Sequence, residues 1–108
     1  QNQAKTSAAK SAADAVAKKA ELYNTAKSKY PTGLTDLTNA ANSGEPYYLD
    51  ASTVKTGTFA ATSPAAPAEA NTIEYVPCPA TGDATGAHVK YYNFSSRQVE
   101  ERKIGTGC

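Results

Sequence analysis

The sequence predicts an α+β domain. A long N-terminal α-helix packs on an antiparallel sheet of three to four strands, and the C-terminal region is closed by a disulfide. Three observations predict this. From about Ser7 to Lys29 the chain contains no Gly or Pro, and its apolar residues recur at steps of three and four. Beyond Val54 the pattern changes to short β-branched and aromatic runs separated by turn residues. Cys78 and Cys108 are the only cysteines. Helix first and strands second make an α+β order. The 108 residues fit a single domain, with a helix over 1–30, a connection over 31–52 and a sheet over 53–108.

The helix carries Ala9, Ala12, Ala13, Val16, Ala20, Tyr23, Ala26 and Tyr30 as one apolar stripe. Alanine is the best helix former. Lys10, Asp14, Lys18 and Glu21 fall on other faces, with Asp14 and Lys18 spaced for an i,i+4 pair. The larger side chains sit toward the C-terminal end. Val16, Ala20, Tyr23 and Tyr30 are therefore the residues expected to hold helix to sheet. The alanine-only first half is expected to be a stalk or a surface for another copy. Tyr30-Pro31-Thr32-Gly33 is expected to end the helix, because proline disfavours the helical conformation of the residue before it. Leu34 and Leu37 suggest one further helical turn over Thr35–Ala41, stopped by Asn42-Ser43-Gly44. Gly44 to Asp50 reads as irregular.

Val54 to Ala61 reads as a weak first strand and Thr62 to Ala70 as an exposed loop containing Ser63-Pro64 and Pro67. Thr72 to Val76 is the next strand, stopped by Pro77 and Pro79. Thr81 to Gly86 is a turn. Ala87 to Phe94 is the best strand, with Val89, Tyr91, Tyr92 and Phe94 as β-formers. Ser95-Ser96-Arg97 forms a hairpin loop. Gln98 to Ile104 returns as a polar edge strand, where Glu100, Glu101, Arg102 and Lys103 discourage further pairing.

Composition bounds the chemistry. Ala supplies 21 residues, whereas Leu, Ile, Val and Phe together supply 13, so the core is thin. Eleven Lys+Arg against ten Asp+Glu leave a net charge of +1, which argues against a charge-driven nucleic-acid or membrane-surface binder. One His and two Cys are too few soft ligands for a structural zinc site. The two cysteines therefore read as one disulfide, with two free thiols as the alternative. A disulfide implies an oxidising compartment outside the cytosol. The chain opens on Gln1 and has no Met, so it reads as a processed or engineered fragment.

No catalytic, cofactor or metal site is expected. His88 has Asp14, Asp36, Asp50 and Asp83 as triad partners by composition, but it reads as a surface side chain on a strand. Adjacent Glu100 and Glu101 point to opposite sheet faces, which does not suit a paired-carboxylate site. Thr81 to Gly86 lacks the lysine of a phosphate loop, and Asp83 alone is too little for calcium. Lys5, Lys10, Lys18, Lys19, Lys27 and Lys29 suit a solvated helix face better than a DNA-binding stripe. Thr58 to Thr72 is a hydroxyl-rich candidate for O-linked sugars, and Asn93-Phe94-Ser95 matches an N-linked sequon.

Two features combine with the helix-first order. The alanine-rich helix runs out through Ala26-Lys27-Ser28-Lys29-Tyr30-Pro31-Thr32-Gly33-Leu34-Thr35-Asp36-Leu37, and Cys108 closes a cysteine pair with Cys78. In these features the chain resembles type IV pilins and the related type II secretion pseudopilins, over nearly its whole length. The family's cleaved leader, Phe-type mature N-terminus and apolar half-helix lie outside the sequence. The resemblance implies a structural, non-enzymatic role: a subunit, major by expectation, of an extracellular cell-surface pilus for adhesion and twitching motility. It implies a precursor held in the cytoplasmic membrane by the apolar half-helix. It implies as partners other copies of the subunit, the membrane assembly machinery and a host-cell or surface ligand, with DNA a less favoured one. The Cys78–Cys108 span and the connection from Thr32 to about Ser52 would correspond to the family's variable contact surfaces. The alternatives are a minor pilin or pseudopilin for secretion or DNA uptake, and a small secreted binding domain without a filament.

Overall fold

Alanine spacing sets the principal element. The computed structural model describes residues 1–108. Helix α1 spans Asn2–Lys27. Its 26 residues make a rod of about 39 Å at 1.5 Å per residue. Ala9, Ala13, Val16, Ala17 and Ala20 are fully buried, and Ala12 and Tyr23 nearly so. A methyl group is small enough to bring the helix axis low over a sheet, so alanine rather than leucine makes the contact close.

The bare stalk expected for the first half of α1 is not what the chain builds. Burial begins at Ala9, one turn beyond a contact at Thr6. The Phe94 amide donates to Thr6 Oγ1 at 2.9 Å, and the Lys5 ammonium lies 5.7 Å from the Phe94 ring centroid. The sheet reaches along nearly the whole helix, so even the alanine-only half has a partner inside the domain.

The helix also ends before the expected Tyr-Pro step. Ser28 is left-handed at φ 61 and ψ 28, and its amide closes on the Asn24 carbonyl. That cap stops α1 at Lys27 and turns Tyr30 out of the helical stripe. The short helix α2 spans Thr35–Thr38, and a 3₁₀ turn follows at Ala40–Asn42. The Asp36 carboxylate accepts from the Thr32 amide and hydroxyl, which pins the turn between the helices. The irregular stretch after Gly44 is not merely a connection. Tyr47 and Leu49 are buried in the core, and the Tyr47 ring meets Tyr23 edge-on with centroids 4.9 Å apart.

Four strands follow: β1 (Lys55–Thr56), β2 (Thr72–Cys78), β3 (Gly86–Asn93) and β4 (Gln98–Gly105). They lie in sequence order across one sheet. The sheet is mixed, which corrects the all-antiparallel expectation. β2, β3 and β4 pair antiparallel, but β1 pairs parallel to β2, with Lys55 opposite Thr72 and Thr56 opposite Ile73. A parallel neighbour needs a long return connection. The Pro- and Ala-rich segment 57–71 supplies it, and this leaves the expected Val54–Ala61 strand only two residues long. β2 runs on through Pro77, which was expected to stop it. Cys78 presents its carbonyl to Thr85 on the β3 side, so the neighbouring Pro77 nitrogen faces the open side, where β1 no longer runs. A missing N–H breaks no ladder bond there.

The inner sheet face carries Ile73, Ala87, Val89, Tyr91 and Ile104, all buried with the α1 seam in one cluster. Leu34 and Leu37 close its end. The outer face has a smaller cluster. Tyr92, 3% exposed, stacks on Phe59 and meets Phe94 edge-on, at centroid distances of 6.3 and 5.0 Å. Phe59 is held there by its amide, which donates to Glu74 Oε1. The return segment thus covers part of the sheet's second face. No helix is long and apolar enough to cross a membrane.

Two measurements test this packing. Ala17→Leu, which inserts a larger side chain under a fully buried seam, is expected to destabilise by about 1–3 kcal/mol in urea unfolding. A second test uses the Tyr91 hydroxyl, which donates to Glu100 Oε1 at 2.8 Å. Burial first, then the Glu100 contact, pushes the phenol up to about 12 from 10.0. Its contribution is full below pH 10.0 and is lost as pH rises through about 12. Glu100 is lowered by accepting from Asn93 and Tyr91, so its contribution is lost as pH falls below the usual carboxylate range. Tyr91→Phe is expected to flatten both flanks of a stability–pH curve.

Candidate functional site

Two regions collect the residues singled out in the sequence. The first is the helix–sheet seam. Val16, Ala20, Tyr23 and Tyr30 are all buried in the same core cluster. Tyr30 reaches it by another route. Its amide donates to the Ala84 carbonyl at 2.8 Å in an isolated antiparallel bridge, and its hydroxyl donates to Glu21 Oε1 at 3.0 Å. Burial, followed by the Glu21 contact, raises the Tyr30 phenol above its ordinary value. Tyr30 is therefore a strap from the helix exit to the segment before β3, not a further residue of the helix stripe. Pro31 beside it is fully buried.

The second region is the disulfide-closed end of the sheet. Cys78 ends β2 and is bonded to Cys108, with Cα atoms 5.2 Å apart. The C-terminal segment is fastened there by its backbone as well. The Thr106 amide donates to the Thr85 carbonyl at 3.0 Å. Gly105 takes φ +72, and a Cβ at that position would strike the Thr85 carbonyl. A Cβ at Gly107 would stand 2.6 Å from the Cys78 carbonyl oxygen. Only glycine permits that approach, so the Gly-Thr-Gly run is a close-packing device and not simply a flexible tether.

His88 lies in this region. The β2–β3 register sets Val76 opposite His88 and Cys78 opposite Gly86, which puts Cys78 and His88 on the same outer face. His88 Nδ1 is 2.7 Å from Glu101 Oε2. His88 is partly buried, with 24% of its side chain exposed. The carboxylate that meets it is Glu101, not any of the four aspartates weighed from the sequence. Those are committed elsewhere: Asp14 to Arg102 at 2.5 Å, Asp36 to Thr32, Asp50 to Ser52 and Asp83 to Lys29 at 3.9 Å. Asp14 thus reaches across to β4 and does not make the expected helix pair with Lys18. Glu100 and Glu101 do diverge. Glu100 bonds Tyr91 and Asn93 on the helix-facing side, and Glu101 bonds His88 on the other.

Two other motifs find structural uses. Asn93 accepts from the Ser95 and Ser96 amides and donates to Glu100, so the sequon asparagine organises the hairpin turn. Among the six lysines weighed from the sequence, Lys5 sits over Phe94, Lys19 donates to the Pro46 carbonyl and Lys29, beyond the helix end, pairs with Asp83. These three point to three separate parts of the domain, so they do not form one cationic stripe. The largest surface groove, about 540 Å³, runs between α1 and β4 and is lined by Asp14, Lys18, Glu21, Leu22 and Arg102. Its walls carry charge of both signs around the partly buried Leu22.

Compared with models of protein families, with curated proteins and with solved structures, the chain finds no match.

The disulfide closes a loop whose ends are 30 positions apart. A loop of that length is expected to contribute about 2–4 kcal/mol by restricting the unfolded chain. Cys78→Ser with Cys108→Ser should lower the unfolding free energy by that amount in denaturant titration, with helix content in circular dichroism unchanged below the transition.

Proposed function

We propose that this chain is the structural subunit of a surface filament of the type IV pilin kind, acting as a major subunit in adhesion and twitching motility. One observation carries the reading. A 26-residue helix lies along a four-stranded sheet, its exit is strapped by Tyr30 to the segment before β3, and the last strand is locked to β2 by Cys78–Cys108. The Tyr30-Pro31-Thr32-Gly33 sequence that follows the helix supports the same reading.

The architecture suits a mechanical subunit. The helix is tied to the sheet near both ends, by Thr6–Phe94 and Tyr30–Ala84, which would resist a pull along the helix. Copies would meet through the outward flank of α1, where the Asp14–Lys18–Glu21–Arg102 groove presents both signs of charge. The exposed residues of the connection from Thr32 to about Ser52 and of the Cys78–Cys108 span would serve as further contact surfaces. A surface filament also sits in an oxidising setting, which suits the disulfide.

Immunogold electron microscopy tests the proposal. Antibodies raised against this chain are applied to cells that express its full gene. Labelling along the whole length of surface filaments is the expected result. Labelling confined to filament tips or to the envelope would reassign it as a minor subunit or pseudopilin. Labelled protein found only free in the medium would leave a secreted binding domain and overturn the filament role.

A further inference from the structure

We propose that the Cys78–Cys108 end of the sheet is a redox-gated metal site: reduced, it binds one zinc-like divalent cation through Cys78, Cys108 and His88. Disulfide and cation are alternative occupants of the same three residues. The inference does not depend on the filament reading.

The geometry comes first. The two Sγ atoms and a ring nitrogen of His88 all lie within 4.8 Å of one another. A tetrahedral zinc with bonds of about 2.0–2.3 Å holds its ligand atoms about 3.4–3.8 Å apart. The three atoms are gathered but not at that spacing: the bonded sulfurs must move apart on reduction, and the widest separation must close by about 1 Å to reach it. Two thiolates and an imidazole are soft and borderline donors that select zinc and cadmium over magnesium or calcium. The cluster gathers three protein ligands, so the fourth position falls to solvent, an arrangement that three-ligand zinc sites use.

Each ligand is positioned by something other than the disulfide. Cys78 ends β2, paired opposite Gly86. Cys108 follows two residues after the Thr106–Thr85 backbone bond, which holds the C-terminal segment beside the end of β2 independently of the sulfur bond. His88 is oriented by Glu101 through Nδ1, which leaves Nε2 as the ligand nitrogen. A carboxylate on the second nitrogen of a metal-binding histidine fixes the ring and strengthens it as a donor. Glu101 is thus a positioning residue.

The chemistry balances with a dithiol reductant. It delivers two electrons and two protons to the Cys78–Cys108 bond, which becomes two thiols while the reductant closes to its own disulfide. Cation binding then releases the two thiol protons to solvent, and both sulfurs bind as thiolates. Cys108 is exposed, so the reductant has access.

The test titrates Cd²⁺, and separately Zn²⁺, into the full chain after reduction and anaerobic removal of the reductant. Cadmium–thiolate charge-transfer absorption reads the binding, and circular dichroism follows the fold. One cation per reduced chain and none per oxidised chain is expected. His88→Ala should weaken binding at least about tenfold, and Glu101→Gln by about 10-fold through lost orientation. Binding by both variants as tight as by the unsubstituted chain would mean that the thiols of a loosened chain hold the cation, and would overturn the site. Absence of saturable binding would do the same. If reduction unfolds the chain, refolding on cation addition supports the site, and failure to refold overturns it.

Discussion

The fold depends on how closely a helix of alanines can be laid on a sheet and held there. With only 13 Leu, Ile, Val and Phe residues, the chain cannot fill a thick core. Instead, Ala9, Ala13, Ala17 and Ala20 let α1 sink onto Val89, Ile73 and Ile104, so modest side chains leave little space unfilled. Such a seam gains little from each methyl and needs its alignment guaranteed. Two hydrogen bonds supply that: the Phe94 amide to the Thr6 hydroxyl near the helix start, and the Tyr30 amide to the Ala84 carbonyl beyond its end. Phe94 follows β3 and Ala84 precedes it, so β3 runs antiparallel along the helix and is tied to it near both ends.

That alignment governs the rest of the sheet through one hairpin. Asn93 pairs with Gln98, and the register then sets Tyr91 against Glu100 and Lys90 against Glu101. Residues of one parity face α1, where Glu100 takes the Tyr91 hydroxyl and Arg102 takes Asp14. Residues of the other parity face outward, where Glu101 takes His88 beside the disulfide. A slip by one residue would exchange the two sets. The charged wiring of the seam and that of the Cys78 end are therefore one structural decision.

The filament and metal readings use different parts of this framework. Polymerisation would draw on the outward side of α1 and on the exposed connections, whereas cation binding would draw on the sheet end beyond the seam. The disulfide links them physically. While closed, it locks the last strand to β2 and removes both sulfurs from metal chemistry. A subunit carried through compartments of different redox poise would meet those two conditions in turn.

Much of the architecture was legible in the residues. The helix, the β3–β4 hairpin and the disulfide follow from local signals: an alanine stripe with no Gly or Pro, alternating aromatic residues and a single cysteine pair. The positions read differently share a cause, which is that their partners are distant in sequence. The alanine half of α1 looked bare because nothing local announces that Phe94 will reach Thr6. Segment 57–71 carries no sign that it will return β1 parallel to β2. The core roles of Tyr47 and Leu49 depend on Tyr23 and on the Leu37 carbonyl that holds the Leu49 amide. His88 and Glu101 were visible as residues, and hairpin register could have made them diagonal neighbours, but Cys78 joins them only once β2 is placed. By itself, then, the sequence determined which segments are helix or strand and that two sulfurs would pair, because propensity and composition act within a few residues. The tertiary structure decided the mixed sheet, the strapped helix ends and the sulfur–imidazole cluster, because those depend on contacts made only when distant segments are packed together.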